Sequence, residues 1–199
     1  MKRIFFTIFV VLCQISVIFA QSAKDVLDKC AATVSAKDGV RASFTIESSQ
    51  HNISGEIAVK GNKFYATTPL ATMWFDGKTQ WTYMKRNDEV NVTNPTEAQL
   101  QAINPYNFIH MYKKGYKYTM NSSANAYSVH LTTENAQQKV VEMFVTVDKK
   151  SFAPTEVKML SGNKWTTFHI RDLKPTKLQD SQFRFNSKDF PSAEVIDLR

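Results

Sequence analysis

The stretch MWFDGKTQWTYMKRNDEVNV, residues 73–92, decides the fold class because it predicts consecutive short strands joined by tight turns. Asp76-Gly77 is typical of a type I′ hairpin turn, since both residues tolerate a positive φ angle. A second polar turn, at residues 85–88, folds the chain back again. Large aromatics surround these turns: Trp74, Phe75, Trp81 and Tyr83. They either fill a closed core or line a cavity that another molecule occupies.

The same period-two alternation extends to both sides of this stretch. The predicted strands are VRASFTIES, ISGEIAVK, KFYAT, ATMWF, TQWTYMK, EVNV, YKYTM, AYSVHLTT, VVEMFVTVD, TEVKML, WTTFHIRDL, QFRFN and AEVIDLR. Most connections are too short for crossover helices, which favours an antiparallel sheet of sequential strands. A twisted sheet of about 11–12 strands either curls into an incomplete barrel or splits into a sandwich. We predict the incomplete barrel, in a protein that is mainly β with some α.

An N-terminal helix precedes the strands. Ser22 and Asp25 have the spacing of a capping box, and Gly39 marks the predicted end of the helix. Its apolar stripe consists of Val26, Leu27, Cys30 and Val34. This stripe must cover another element, and Cys30 is expected to face the sheet as a small buried residue. A reactive thiol at Cys30 is the alternative, but no histidine lies near it in the sequence.

Two helices are predicted in the middle of the chain, where the strand pattern stops. Asn94-Pro95 and Asn104-Pro105 each provide an N-cap followed by proline at the first helical position. Gly115 is a suitable C-terminal stop. The apolar residues assigned to this lid are Leu100, Ile103, Phe108, Ile109 and Met111. These residues either form a mobile lid or pack as ordinary core between helix and sheet.

Residues 1–20 predict a secretory signal peptide. A basic start is followed by an apolar stretch, and Ala20 is a small residue at the cleavage position. An uncleaved anchor is the alternative, although the stretch is short for a span of about 20 apolar residues. Lipidation at Cys13 is disfavoured because Leu12 precedes it. We therefore expect a soluble mature chain, residues 21–199, that folds as one domain.

The sequence contains no pattern typical of catalysis or metal binding. Neither a G-x-S-x-G motif nor a P-loop is present, and the four histidines are isolated: His51, His110, His130 and His169. The net charge of +7 is spread without basic runs, which favours a solvated surface or a weak preference for anionic membranes over nucleic-acid binding. We predict no catalytic residues, metal or cofactor, and hence a protein that is not an enzyme.

In the order of several sequence patches, the chain resembles the LolA-like family, the periplasmic carriers of outer-membrane lipoproteins. The patches are ASFT, GEIAVKGNKFYAT, DGKTQWTY, NPYNFIHM and FRFN followed by AEVIDLR. DGKTQWTY is the most specific, because it is similar to the family's DGK-x-x-W-x-Y hairpin. The resemblance implies an incomplete antiparallel barrel, closed by an N-terminal helix and a loop-helix lid. Its hydrophobic cavity would shield the acyl chains of a lipoprotein.

Alternation and the resemblance together give the predicted lipid-binding cavity: Phe44, Ile46, Ile57, Val59, Tyr65, Trp81, Tyr83, Phe144 and Phe168. Tyr65 falls where the family has an aromatic important for receiving cargo. Gly61 falls where family members often carry an arginine that tethers the lid. The resemblance therefore implies that the lid is latched by another residue or is not latched at all.

The predicted function is a periplasmic carrier of acylated lipoproteins or another lipid, acting as a monomer. By resemblance its partners are an inner-membrane donor complex and an outer-membrane acceptor. An envelope sensor or structural module that binds a protein partner with the same half-barrel is the alternative. A hydrolase on a lipid-binding fold is disfavoured because the nucleophile and base are missing. The cargo stays open between a triacylated lipoprotein, a glycolipid and a free fatty acid.

Overall fold

A single curved sheet dominates the structure. The computed structural model describes residues 21–49, 52–96, 99–100, 111–113, 115–133, 135 and 138–199. The strands are β1 (Val40–Ser48), β2 (Asn52–Lys60), β3 (Lys63–Thr67), β4 (Ala71–Phe75), β5 (Gln80–Met84), β6 (Glu89–Thr93), β7 (Lys117–Ser122), β8 (Ala126–Thr132), β9 (Val140–Asp148), β10 (Pro154–Ser161), β11 (Lys164–Pro175) and β12 (Glu194–Asp197). The predicted signal peptide, residues 1–20, lies outside the described residues.

The strand order is β12-β6-β5-β4-β3-β2-β1-β11-β10-β9-β8-β7. Neighbouring strands are antiparallel, apart from β12, which runs parallel to β6. Sequential hairpins build the two halves, and the pairing of β1 with β11 joins them. In the described residues β7 and β12 are the two edges, so the sheet is not closed into a barrel. The predicted open, mainly β architecture is confirmed.

The helix α1 (Ala23–Val34) begins with the predicted capping box. The Asp25 backbone N–H donates to Ser22 Oγ at 3.1 Å, and the Ser22 N–H donates to the Asp25 carboxylate at 3.3 Å. The helix ends at Val34, several residues before the predicted stop at Gly39. Its apolar stripe packs against β7 and β8. None of the helices in the described part of the chain is long and apolar enough to cross a membrane.

The hairpin between β4 and β5 differs from the predicted type I′ turn. Its loop has four residues, because Phe75 pairs with Gln80. The Asp76 carboxylate accepts from the backbone N–H groups of Lys78 at 3.1 Å and of Thr79 at 2.9 Å. Asp76 therefore stabilises the loop through its side chain, while Gly77 alone supplies the positive φ, 100°.

The predicted strand QFRFN is wrong. Residues Asp180–Phe183 form a 3₁₀ helix, and a second one spans Ser187–Asp189. The two phenylalanines of this stretch do not share one side as a strand requires. Phe183 is fully buried beside Leu178, whereas Phe185 contacts Trp74. The segment follows the surface on which it packs, and the closing strand is β12.

The best-packed part of the core lies between α1 and the half of the sheet formed by β8, β9 and β10. Six side chains there have 0% exposure: Val129, Leu131, Met143, Val145, Val147 and Val157. The four stripe residues of α1 belong to the same cluster. Cys30 is buried among them, as predicted, and burial raises the pKa of its thiol to about 12. The thiol is therefore protonated at neutral pH.

Candidate functional site

The sheet has two faces, which we call the inner face, on the side of α1, and the outer face, opposite to it. Side chains alternate between faces along a strand, and directly paired residues share a face. One row of the inner face runs through Ala42, Ile57, Ala66 and Met73. The buried residues of β1–β4 on this face belong to the same cluster as the apolar stripe of α1. The apolar surface is therefore continuous from the helix to β4.

The inner wall is the part of this face built by β1–β4 and β11. We define it by nine apolar side chains there: Phe44, Ile46, Ile57, Val59, Phe64, Ala66, Met73, Phe75 and Phe168. The rings of Phe64 and Phe75 lie 5.4 Å apart, centroid to centroid. Gly55 of β2 allows the Phe44 ring to pack directly on the backbone. A Cβ at this position would lie 2.7 Å from that ring and 2.2 Å from the Thr67 carbonyl oxygen.

The structure divides the nine predicted cavity residues between the two faces. Five of them lie together on the inner wall: Phe44, Ile46, Ile57, Val59 and Phe168. The prediction missed Phe64, Ala66, Met73 and Phe75, which are the neighbours of those residues across the sheet. Alternation groups Phe64 with Ala66 and Met73 with Phe75, but the prediction chose Tyr65 from the first of these strands and no residue from the second.

The other four predicted residues are on the outer face, so their assignment to the same lining is wrong. Tyr65 pairs with Ala58 and Trp74, on the side opposite to Phe64. Trp81 pairs with Trp74, and Tyr83 is two residues further along the same strand. Phe144 also faces outward, where its ring stacks on His130 with centroids 4.2 Å apart. These large aromatic residues were assigned to the cavity lining, but side-chain alternation places them on the opposite face of the sheet.

The outer aromatics hold the chain's own C-terminal strap, which we define as residues 176–199. The centroid of the Trp74 ring lies 5.6 Å from that of Phe185 and 5.6 Å from that of Phe190. The Tyr83 ring lies 4.6 Å from that of Phe190, and its hydroxyl donates to Asp88 at 2.9 Å. These contacts account for Trp74 and Tyr83 without a ligand.

A second anchor of the strap lies at β2. Leu178 and Phe183 pack on Ala58, and their exposures are 3% and 0%. Lys60 Nζ donates to the carbonyl oxygen of Leu178 at 2.9 Å. The strap is thus fixed by buried apolar side chains and by a hydrogen bond to its backbone.

Charged pairs at the strap are mostly exposed. Asp180 accepts from Lys60 at 3.1 Å and from Lys63 at 2.7 Å, and these hydrogen bonds lower the pKa of its carboxyl. Arg184 Nε donates to Asp76 at 3.0 Å. Burial by itself raises the pKa of Asp76, but the N–H donors of its loop and Arg184 outweigh it, so that the pKa lies below its usual value. Exposed pairs of this kind contribute little to stability.

Two of the five predicted lid residues are described. Met111 is buried and Leu100 is partly buried, and both pack against the inner cluster. Ile103, Phe108 and Ile109 lie outside the described residues, so their placement stays a prediction. Gly61 is in the β2–β3 turn at φ 60°, and a Cβ at this position would contact nothing within 4 Å.

Tyrosine hydroxyls fix the segment that follows Met111. Tyr112 donates to the Asp28 carboxylate of α1 at 2.6 Å, and Tyr116 donates to the carbonyl oxygen of Val140 at 2.6 Å. Tyr118 donates to the backbone oxygen of Tyr112. Burial and then Asp28 raise the pKa of Tyr112, so its hydroxyl remains a donor at neutral pH.

A polar cleft lies at one end of the inner face, where β5 begins and β6 ends. Its volume is about 340 Å³, and its lining includes Gln80, Thr93, Asn94, Gln99 and Arg199. Gln80 pairs with Phe75, so this cleft adjoins the inner wall. The cleft was not predicted from the sequence.

No group of three His, Cys, Asp or Glu side chains that could hold a metal ion occurs in the part of the chain that the structure describes. His130 contacts Glu142 at 2.8 Å, and His169 lies 3.4 Å from both Glu47 and Glu156. Both histidines are on the outer face, beside carboxylates. His51 and His110 lie outside the described residues.

The profile of the family described as outer membrane lipoprotein carrier protein LolA matches residues 15–163. No curated protein sequence matches the chain. The match ends before β11 and the strap, so these elements extend beyond the region that the profile covers.

Several solved structures are similar. An uncharacterized conserved protein from Thermus thermophilus has a TM-score of 0.61 at 12% identity, over 89% of this chain and 99% of that chain. At this identity the likeness shows the fold alone. A LolA superfamily protein from Nitrosomonas europaea has a TM-score of 0.45 at 13% identity, over 83% and 99% of the two chains. The MucA/MucB complex of Pseudomonas aeruginosa gives 0.46 at 13% identity, over 83% and 62%.

Proposed function

This chain belongs to the family of the outer membrane lipoprotein carrier protein LolA, and from that premise we propose that it is a periplasmic lipid carrier. Its cargo is an acylated lipoprotein or another lipid, whose acyl chains lie against the inner wall during transfer from the inner to the outer membrane. The partners in this proposal are an inner-membrane donor complex and an outer-membrane acceptor. The protein acts as a monomer and not as an enzyme.

The inner wall is the observation that carries the proposal. All of its side chains are aliphatic, methionine or phenylalanine, and they form one surface with the α1 cluster. Burying an acyl chain of about sixteen carbons is worth on the order of 12 kcal/mol, at about 0.8 kcal/mol per CH₂. A lipid does not leave a membrane for water against that cost, so an apolar surface has to replace the bilayer during transfer.

Access to the wall requires a movement of the protein. Phe64 and Ile57 are only 1% and 2% exposed, whereas Ile46 and Met73 are partly exposed at the margin of the wall. We assign the opening movement to the mid-chain lid: Leu100, Ile103, Phe108, Ile109 and Met111. Without cargo, the closed lid shields the wall from water. Because cargo has to displace the lid, the net free energy of binding is smaller, so that cargo can be released.

The direct test is saturable lipid binding by the mature protein. We expect an environment-sensitive fatty-acid probe to bind with micromolar affinity, and an acylated lipoprotein to displace it. Mass spectrometry of lipid extracted from gently purified protein would then identify the natural cargo. If neither the probe nor a lipoprotein binds saturably, the carrier proposal is wrong, and a module that binds a protein partner becomes the better hypothesis.

A second test concerns location. We expect the protein in osmotic-shock fluid, beginning at Gln21 after cleavage of residues 1–20. Edman sequencing or intact-mass measurement checks this start. Recovery of the protein acylated on Cys13, or fixed in the membrane fraction, would contradict a diffusing carrier.

A further inference from the structure

One buried polar atom of the inner face has no partner. Gln80, at the start of β5, is 7% exposed, and its Nε2 donates to Thr82 Oγ1 at 3.0 Å. Its Oε1 is buried and accepts no hydrogen bond, which is true of no other buried side-chain nitrogen or oxygen among the described residues. Buried polar side-chain atoms nearly always have a partner. An exception at the margin of an apolar wall therefore suggests a site whose partner is a ligand.

The surroundings of Gln80 have the shape and polarity of a small binding site. Gln80 lines the cleft of about 340 Å³ together with Thr93, Asn94, Gln99 and Arg199. On the other side it pairs with Phe75 of the inner wall, which is 4% exposed. Once the movement that exposes the wall has occurred, a ligand can place an apolar chain against the wall and a polar group in the cleft.

The charges around the cleft favour an uncharged polar group. Arg199 Nε already donates to the Asp197 carboxylate at 2.8 Å, so the guanidinium is neutralised by its own neighbour. Asn94 is also engaged, since its side-chain oxygen accepts from the Thr79 hydroxyl at 3.1 Å. A carboxylate would bring lone pairs against the Gln80 oxygen, and the described lining offers it no free cation in return. A fatty acid is therefore a poor match for this cleft.

We infer that the Gln80 cleft binds the amide linkage of an N-acylated lipid, whose N–H donates to Gln80 Oε1. This inference rests on the proposed lipid-carrier function and specifies its cargo. An ester lacks the N–H group and leaves the buried oxygen unpaired. The Thr82 hydroxyl can accept or donate, so a reversed Gln80 amide would still find a partner in the carbonyl of the same linkage. An amide is the group that satisfies both orientations.

The test compares three probes that share one acyl chain: N-palmitoylethanolamine, 2-hydroxyethyl palmitate and palmitate. The first two differ only in an N–H group against an ester oxygen. Each is used to displace a fluorescent fatty-acid probe from the wild-type protein. We expect the amide to bind about tenfold more tightly than the ester, the ratio that corresponds to one additional hydrogen bond. Equal affinities for all three would overturn the inference and leave the carrier proposal intact.

A variant then assigns the preference to Gln80. Gln80→Met keeps the length of the side chain and removes the unpaired oxygen. We expect the amide-to-ester ratio to fall to about one, mainly through a loss of amide affinity, with an unfolding temperature equal to or above that of wild type. Gln182→Met, at an exposed position of the strap on the outer face, is the control and should keep the ratio.

The outcomes separate the two proposals. A preserved amide preference in Gln80→Met refutes the role of this residue. A lower unfolding temperature with no change in the ratio means that Gln80 is an ordinary packing residue. If none of the three probes binds the wild-type protein, both the cleft and the carrier proposal fail. The wild-type comparison alone decides the chemistry even if Gln80→Met does not fold.

Discussion

The two faces of the ribbon β2–β5 contrast in how they are covered. The inner face carries Phe64, Ala66 and Phe75, which have no polar group and belong to the α1 cluster. The outer face carries Tyr65, Trp74 and Tyr83. The strap covers Tyr65 with Leu178 and Phe183, and it covers Trp74 and Tyr83 through ring contacts of Phe185 and Phe190. A strand with large side chains on both faces needs two covers, and here the chain itself provides the outer one. Aromatic density alone is thus a poor guide to a ligand cavity.

The largest effect should come from removing the outer anchor. Phe183→Ala should lower the free energy of unfolding by about 3–5 kcal/mol, because a fully buried ring leaves a cavity. Urea unfolding followed by circular dichroism measures the loss. Affinity for the fatty-acid probe, corrected for the folded fraction, should stay within about twofold of wild type. A variant that unfolds normally but no longer binds would contradict the separation of the two faces.

The next largest loss of stability should come from placing a polar atom among the buried residues of α1. Cys30→Ser places a hydroxyl at a position with 0% exposure, and we expect a loss of about 1–3 kcal/mol from an unpaired buried group. Cys30→Ala, the control without a polar atom, should lose less than the serine variant. Because the pKa of the native thiol is about 12, alkylation of Cys30 should be slow until the protein unfolds. Equal stability of the serine and alanine variants would contradict an apolar site.

Binding of the fatty-acid probe should respond differently to substitutions at two residues that the sequence assigned to one cavity. Ile46→Ser and Phe144→Ser both alter partly buried strand positions, on the inner and the outer face respectively. We expect Ile46→Ser to weaken fatty-acid binding by about fivefold to tenfold, as expected for losing an aliphatic contact. Phe144→Ser should change it by less than about twofold. The reverse order would place the lipid on the outer face.

The smallest effect is the pH dependence of the strap. The folded pKa of Asp76 lies below its ordinary value of 3.8, so this group stabilises the protein above that pH, and its contribution is lost as the pH falls through the folded value. Asp76→Asn should therefore cost about 1 kcal/mol or less at pH 7 and nearly nothing at pH 2. Urea unfolding at both pH values measures the difference. A larger cost at pH 2 would contradict this assignment.

The elements were largely predictable because their information is local. Period-two alternation identified the strands, and Ser22 with Asp25 identified the helix start, since each depends on residues close in sequence. The 3₁₀ segment around Phe183 was not predictable in this way. Its phenylalanines are two apart, as in a strand, and only the surface of β2 and β4 explains why they diverge.

The choice of face was the part that the sequence could not decide. Alternation divides KFYAT into Phe64 with Ala66 and Tyr65 with Thr67, but it does not say which pair faces α1. Each pair contains a large aromatic ring that needs a cover. The α1 cluster covers Phe64, and the strap covers Tyr65. Gln80 was overlooked for a related reason. It shares a face with Thr82, opposite to Trp81 and Tyr83, and the large aromatics drew attention to the wrong side of the strand.

The topology of the sheet also determines when it can be completed during synthesis. β1 pairs with β11, and β6 pairs with β12, which is formed by residues 194–197. On a ribosome, the edges of β1 and β6 therefore stay without partners until most of the polypeptide has been made. Unpaired strand edges are templates for aggregation, and pairings between distant segments form slowly. A nascent chain that stops before β12 leaves the edge of β6 unpaired in place of the short edge strand β12, so the protection of β6 depends on a strand that is made about 100 residues later.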